Sequence, residues 1–127
     1  MPNVKVASSA QAVALRRWRV IEVITESCAR TRHVLGHDAE SDDGRASSAI
    51  AAFDLQTMTA TTISGARFRL VGLPGHSRKA QAVWEQWRVS HGVVSERDVT
   101  NDYMDPDDVS TRQFVALKDS ALAGRPK

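Results

Sequence analysis

The sequence has little of the chemistry that crosslinks a chain or spans a membrane: it contains a single cysteine, Cys28, among 127 residues. A lone cysteine excludes an internal disulfide and is typical of a reducing compartment. The longest run without a charged residue covers positions 55–66, which is too short and too rich in threonine to cross a bilayer. Near the N-terminus Arg16 and Arg17 follow the apolar run, whereas a signal peptide carries its positive charge first. We therefore expect a cytoplasmic protein without a membrane segment.

Charge is nearly balanced but unevenly spread. The composition is that of an ordinary globular protein, with 42% hydrophobic and 25% charged residues and a net charge of +2. Such blocks of charge are either solvated faces that offset one another or the mark of a basic surface for an anionic partner. Residues 1–37 and 55–97 each carry six basic and two acidic side chains, residues 38–54 carry five acids and one arginine, and residues 98–127 carry six acids and four bases.

The N-terminal part of the chain has an ambiguous hydrophobic pattern. A serine-capped helix could start at Ala10, whereas the segment 18–25, WRVIEVIT, is rich in residues that favour strands. Short apolar runs cannot be assigned from periodicity alone, so residues 18–28 stay open between strand and helix. The pattern favours a helix through Arg17 and a strand from Trp18.

Two further segments are marked by residues that form turns. Positions 38–46, DAESDDGRA, contain no apolar residue except alanine and indicate a loop between two extended segments. Residues 47–54 then predict a strand. Asp54 is expected to open a turn, because its carboxylate can accept from backbone N–H groups two residues further on.

The clearest strand pair is a hairpin over residues 59–71. Ser64 and Gly65 predict a two-residue loop, since such a turn needs a positive φ and favours glycine. An antiparallel sheet with one face in water follows from this pairing. The predicted register places Ile63, Ala66, Phe68 and Leu70 on the apolar face and Arg67 and Arg69 on the wet face.

The segment after the hairpin predicts an amphipathic helix. Ser77 is placed to cap its N-terminus, and Gly92 is placed to follow its C-terminus. We expect the helix to lie across the apolar face of the hairpin. The acidic segment 98–127 predicts one more helix, beginning near an Asp-Pro-Asp-Asp cluster. The first helix has an apolar stripe of Ala80, Val83, Trp84, Trp87 and His91.

Together these elements predict an α+β fold. A small antiparallel sheet of about three to five strands would carry helices packed on one of its faces. The length predicts a single domain over residues 1–127, in which residues 1–9 form a flexible arm.

No familiar catalytic or metal-binding constellation is present. A phosphate loop needs Gly-x-x-x-x-Gly-Lys, whereas Gly72 and Gly75 are three positions apart and Lys79 follows four positions later. His33 and His37 could hold one ion only on a helix, because on a strand they would lie roughly 13 Å apart. We therefore expect no metal, no cofactor and no enzymatic activity. A small enzyme with an unrecognised site is the alternative.

Arginines carry the strongest functional signal. Three of them surround Trp18, and two more lie on the predicted wet face of the hairpin. Guanidinium groups can bind phosphates or carboxylates, and a neighbouring aromatic ring can stack on a base. The predicted partner-binding residues are Arg67, Arg69, Arg16, Arg17 and Arg19.

Three segments, ISGARFRLVGLPG, VWEQW and DVTNDYM, share a motif with a group of known sequences. The motif, SG-x-x-F-x-L-x-G-x-PG followed by VW-x-x-W and DVT, resembles short uncharacterised proteins of bacterial genomes, phages and plasmids. The resemblance covers roughly residues 30–104. It implies a bacterial or mobile-element origin and no known activity, although mobile-element proteins of this size suggest inhibition of a host defence complex.

The sequence thus predicts a non-enzymatic binding protein that docks on a protein or nucleoprotein complex. The alternative is direct binding of DNA or RNA through the basic sheet face. No membrane partner is expected.

Overall fold

A computed structural model describes residues 11–104 of the protein. The predicted arm, residues 1–9, and the helix predicted to begin near the Asp-Pro-Asp-Asp cluster lie outside the described residues. In chain order the elements are β1 (Val13–Thr25), β2 (Arg30–Asp38), β3 (Asp43–Ala46), β4 (Ile50–Asp54), β5 (Thr59–Thr62), β6 (Arg67–Leu70), α1 (Arg78–Ser90), β7 (Val93–Asp98) and a short 3-10 helix (Thr100–Tyr103).

The seven strands form one mixed sheet around β1, its longest strand. The order is β3-β2-β1-β6-β5-β4, and β7 pairs with the edge of β1 that also carries β6. All strand pairs are antiparallel except β1 with β6, which is parallel. A tight turn cannot join two parallel strands, and here the strands β2 to β5 lie between β1 and β6 in the chain. The α+β class is confirmed in this coarse form. The sheet is mixed and not antiparallel, and the described part has one α-helix where several were predicted.

β1 is a strand along its whole length, so the helix predicted to end at Arg17 is wrong. Trp18 and Val20 pack on one side of the sheet, whereas Ile21 and Val23 pack on the other. A strand buried on both faces shows a continuous apolar run instead of an alternating pattern. A bulge at Arg17, where φ is 50°, also interrupts the two-residue period. Both features gave the sequence its helix-like spacing.

The β5–β6 hairpin is present, but its loop has three residues and not the predicted two. Thr61 pairs with Arg67, one position away from the predicted register. Gly65 has a φ of 90°, the left-handed conformation that a three-residue loop requires. Ile63 therefore leaves the predicted apolar face and becomes 72% exposed. Of the other residues predicted for that face, Phe68 and Leu70 are buried and Ala66 is exposed.

The predicted amphipathic helix is confirmed as α1, with both of its caps. Ser77 Oγ accepts from the backbone N–H of Ala80 at 3.1 Å, and Gly92 follows the last turn with a φ of 63°. Its packing differs from the prediction. Ala80 and Trp84 pack α1 against β1 and β2, with β3 alongside, because the buried side chains of the hairpin face the opposite side of the sheet.

Each side of the sheet carries a hydrophobic core that contains one tryptophan, Trp18 on one side and Trp84 on the other. Trp18 Nε1 donates to the carbonyl oxygen of Gly72 at 3.0 Å, and Trp84 Nε1 donates to Glu96 Oε1 at 3.1 Å. β4, at one end of the strand order, touches β2, so the sheet curls over the first of these tryptophans. The larger core holds Leu15, Trp18, Val20, Val34, Phe68, Leu70, Val99 and Met104, and the smaller core under α1 holds Ile21, Val23, Leu35, Ala80 and Trp84.

The two segments marked by turn residues follow the prediction in outline. β2 continues to Asp38 and β3 begins at Asp43, so the acid-rich loop is shorter than the sequence indicated. The strand predicted over residues 47–54 begins at Ile50. The turn that follows is confirmed, because Asp54 accepts from the backbone N–H of Gln56 at 2.9 Å.

Gly44 is a point of close backbone contact between β3 and α1. A Cβ at this position would overlap the backbone carbonyl of Lys79 and the amide nitrogen of Ala80. We expect Gly44→Ala to lower the free energy of unfolding by about 3 kcal/mol, because neither backbone can move aside without separating the helix from the strand.

Gly75→Ala is the control, because it has the same effect on the unfolded chain but causes no clash in the folded protein. A Cβ at Gly75 would lie 3.5 Å from Arg17 Cα, an ordinary contact. Gly75→Ala should therefore change stability by no more than about 0.5 kcal/mol in urea denaturation. Equal losses in the two variants would show that the helix is not seated on Gly44.

Candidate functional site

The parallel pairing of β1 with β6 brings together arginines that are far apart in the sequence. Ala14 pairs with Arg69, and Leu15 pairs with Leu70. The two leucines point into the larger core, so Arg69 and the next β1 residue, Arg16, point to the opposite side of the sheet. This is the side that α1 covers further along β1. We name this surface, with Arg16, Arg67 and Arg69, the basic face.

Arg17 and Arg19 border the basic face. The stem of Arg17, at the β1 bulge, lies against Gly75 in the loop that follows β6. The Arg19 guanidinium donates to Gln81 Oε1 on α1 and lies 3.9 Å from Asp98. Arg19 is thus tied to the helix. Of the five arginines predicted as partner-binding, Arg16, Arg17 and Arg69 are exposed, and Arg19 and Arg67 are half-buried.

The three exposed arginines differ from most other basic residues in their ion pairing. Within residues 11–104, no carboxylate lies within 4.0 Å of Arg16, Arg17 or Arg69, a property they share with Arg78 at the start of α1. Their charge is therefore available to a partner. Ion pairs within the protein engage Arg19, Arg30, Arg32, Arg45, Lys79, Arg88 and Arg97.

The other arginine cluster of the sheet is used internally. On the side away from α1, the carboxylate of Glu22 lies 3.1 Å from Arg32, 3.1 Å from Arg97 and 3.6 Å from Arg30. The hydrogen bond from Arg32 and the charges of all three arginines hold the pKa of Glu22 below its usual value. These arginines therefore offset a charge of the protein itself.

Trp18 is unavailable for base stacking, although three arginines surround it in the sequence. Its ring is 1% exposed and lies in the larger core. The alternation of arginine and tryptophan that suggested a nucleic-acid surface places the ring inside and the neighbouring arginines outside. Stacking on a base by this residue is excluded.

No protein-family model matches the sequence, and no curated protein or solved structure matches it significantly. The part of the chain that the structure describes contains no helix long and apolar enough to cross a membrane, and no three His, Cys, Asp or Glu side chains in it converge to hold a metal ion.

A pocket of about 390 Å³ lies near the other end of α1, between the helix C-terminus, β2 and the hairpin loop. Trp87 and His91 form one wall, with their rings stacked at 4.1 Å and an interplanar angle of 11°. His33 also lines the pocket, and its ring centroid lies 4.4 Å from that of Trp87. The sequence offered only weak signals for this pocket: His91 extends the apolar stripe of the helix, and His33 was weighed as a metal ligand.

His33 is a buried, neutral histidine whose tautomer follows from its partners. Nδ1 lies 3.0 Å from the carbonyl oxygen of Ser47, which can only accept, so Nδ1 carries the proton. Burial lowers the pKa of His33 below its usual value, and the ring is neutral at neutral pH. Nε2 then accepts from the hydroxyl of Thr31 at 2.7 Å.

The lowered pKa of His33 makes stability depend on pH. In the unfolded chain this histidine takes up a proton near its ordinary pKa of about 6.5, whereas the folded protein resists protonation until a lower pH. Acidification below about pH 6.5 should therefore destabilise the protein by up to about 1.4 kcal/mol per pH unit. Urea denaturation of the protein and of His33→Gln, between about pH 7.5 and 5.5, isolates this contribution. The stability advantage of the parent over the variant should shrink on acidification, and a constant difference would contradict the assignment.

Proposed function

We propose that this protein is a non-enzymatic docking protein that binds an acidic surface of a protein or nucleoprotein complex through the basic face. The observation that carries the proposal is the set of three exposed arginines, Arg16, Arg17 and Arg69, that the described fold leaves without a carboxylate. Most other basic side chains in residues 11–104 lie within 4.0 Å of a carboxylate. Three guanidinium groups around one strand pair fit a carboxylate-rich partner surface.

An acidic protein surface fits this face better than the bases of a nucleic acid. The basic face, as far as residues 11–104 define it, presents arginine, threonine and alanine side chains and no aromatic ring. Binding of single strands relies on aromatic rings for stacking. Guanidinium groups bind carboxylates in a bidentate manner without such support.

The mode of action we propose is occupation of a host surface. The sequence resemblance to mobile-element proteins supports a bacterial host, and a docking protein of this size would act by blocking an acidic surface of a host complex. Inhibition of a host defence system is the specific form of this proposal. The single, exposed Cys28 supports action in the reducing cytoplasm.

Direct binding of DNA or RNA is the second candidate, and the same three exposed arginines favour it. A guanidinium fork fits a phosphate as well as it fits a carboxylate. The two candidates differ in their dependence on salt, because each neutralised phosphate releases condensed counterions and steepens the fall of affinity with salt.

Capture from a bacterial lysate, with and without nuclease, tests the proposal. The tagged protein should retain one defined protein complex after nuclease treatment and should ignore free DNA and RNA. Loss of the captured material on nuclease treatment, together with salt-sensitive binding of a free oligonucleotide, would favour the second candidate. If the protein retains no complex and binds no oligonucleotide, both the docking proposal and the nucleic-acid candidate are contradicted.

A further inference from the structure

The pocket beside α1 is independent of the basic face and has its own chemistry. Its walls are mainly apolar, formed by Ile63, Ala49 and the rings of Trp87 and His91. Three nearly parallel rings are stacked along the helix next to the pocket. The centroids of Trp84 and Trp87 lie 5.0 Å apart with an interplanar angle of 8°, and Trp87 stacks on His91. His91, the last ring of this stack, is exposed.

Two polar atoms of the pocket are acceptors. His91 Nδ1 lies 2.9 Å from the carbonyl oxygen of Trp87, so Nδ1 carries the proton and the neutral ring has its lone pair on Nε2. Thr31 donates its only hydroxyl proton to His33 Nε2, so its oxygen can offer a ligand only lone pairs. A ligand that bonds to either of these two atoms must therefore donate the hydrogen.

The pocket is not built for a charged ligand. Of the described residues that line it, none is Asp, Glu, Lys or Arg, and His33 is held neutral by its two hydrogen bonds. Burial of an ion in such a place, without a counter-charge, is unfavourable. The volume of about 390 Å³ lies within the range of pockets that take small molecules. Ile63, at the hairpin loop, is the large apolar side chain that a ligand would cover.

We propose that this pocket binds a small, uncharged, flat heteroaromatic molecule that carries a ring N–H, of the indole or purine class. Its N–H donates to His91 Nε2 within the plane of the imidazole, so the ligand ring meets the edge and not the face of His91, and it packs against Trp87 and Ile63. No other function of the chain is needed for this binding, so its failure would leave the proposed docking function untouched.

Titration with indole, followed by the NMR signals of the Trp87 and Ile63 side chains, tests the proposal. Benzofuran has the same shape but no N–H, and benzoate is flat but charged. We expect saturable shifts with indole, about fivefold to tenfold weaker binding of benzofuran, and no binding of benzoate, because one neutral hydrogen bond separates the first two probes. Equal affinities for indole and benzofuran, or shifts confined to other residues, would overturn the proposal. An absence of shifts with both indole and adenine would overturn it as well.

Three variants assign the effect to the pocket. His91→Phe keeps an aromatic ring of similar size and loses the acceptor, so the preference for indole over benzofuran should disappear while both still bind. Ile63→Ser should weaken both probes. Val89→Ser, on the same helix but 79% exposed and outside the pocket, is the control and should change neither affinity. A preference for indole that survives in His91→Phe would contradict the assigned acceptor.

Discussion

Replacement of Trp84 by alanine should lower the free energy of unfolding by about 3–5 kcal/mol, the usual cost of removing a buried tryptophan ring. Trp84 is 1% exposed and joins α1 to the sheet through the smaller core. Its ring stacks on Trp87, and its Nε1 donates to Glu96 on β7. The variant thus loses apolar burial, ring contacts and one hydrogen bond together. Urea denaturation monitored by far-ultraviolet circular dichroism measures the loss.

Two other substitutions on the same helix serve as comparisons for the stability loss of Trp84→Ala. Trp87 is half-buried, so Trp87→Ala should cost less than Trp84→Ala. Val89 is 79% exposed, so Val89→Ala should change stability by no more than about 0.5 kcal/mol. A greater loss in Trp87→Ala than in Trp84→Ala would mean that the helix is rotated about its axis relative to the structure.

Reversal of two charges on the basic face should strongly weaken docking without unfolding the protein. Arg16 and Arg69 are exposed, and within residues 11–104 neither has a carboxylate partner. Arg16→Glu with Arg69→Glu should therefore change the free energy of unfolding by no more than about 0.5 kcal/mol per site. Affinity for the captured partner should fall by about a hundredfold or more, because two attractive contacts become repulsive. Unfolding of the double variant would contradict the assigned strand register, and unchanged affinity would contradict the docking surface.

Local signals in the sequence predicted the local structure well. The signals for the helix lie within one short segment, and the structure confirms the Ser77 cap and the Gly92 stop. The predicted stripe is confirmed in part, because Ala80 and Trp84 are buried and Val83 and His91 are exposed. The Asp54 turn has the same character, because the carboxylate binds backbone N–H groups only two and three residues away. In each case the interaction that fixes the conformation lies within a few residues of the signal.

Features set by contacts between distant segments were predicted poorly. β1 resembled a helix because both its faces are buried and because a bulge at Arg17 shifts its alternation. The hairpin was predicted one position out of register, because the sequence alone did not distinguish a two-residue loop from the three-residue loop that ends at Gly65. The parallel pairing of β1 with β6 left no signal at all, since it depends on the path of four intervening strands.

The two candidate sites were also predicted only where the signal is local in the sequence. The arginines of the basic face were found from composition and from the alternation around Phe68, but only the pairing of Ala14 with Arg69 places Arg16 beside them. The pocket beside α1 was missed, because its walls come from the end of β1, from β2, from the hairpin loop and from the helix. His33 and His91 contribute through their tautomers, which depend on backbone carbonyls that the sequence does not reveal.

A comparison of two variants with the same net charge tests the central claim most directly. Arg16→Gln with Arg69→Gln and Arg30→Gln with Arg97→Gln each remove two positive charges, the first pair from the basic face and the second from the opposite side of the sheet, where both arginines lie near Glu22. The measurement is the dissociation constant for the captured complex in nuclease-treated lysate fractions. The account predicts a loss of affinity of about tenfold or more for the first pair and little change for the second. Equal losses would show that only the net charge matters, and a loss confined to the second pair would move the docking surface to the other side of the sheet.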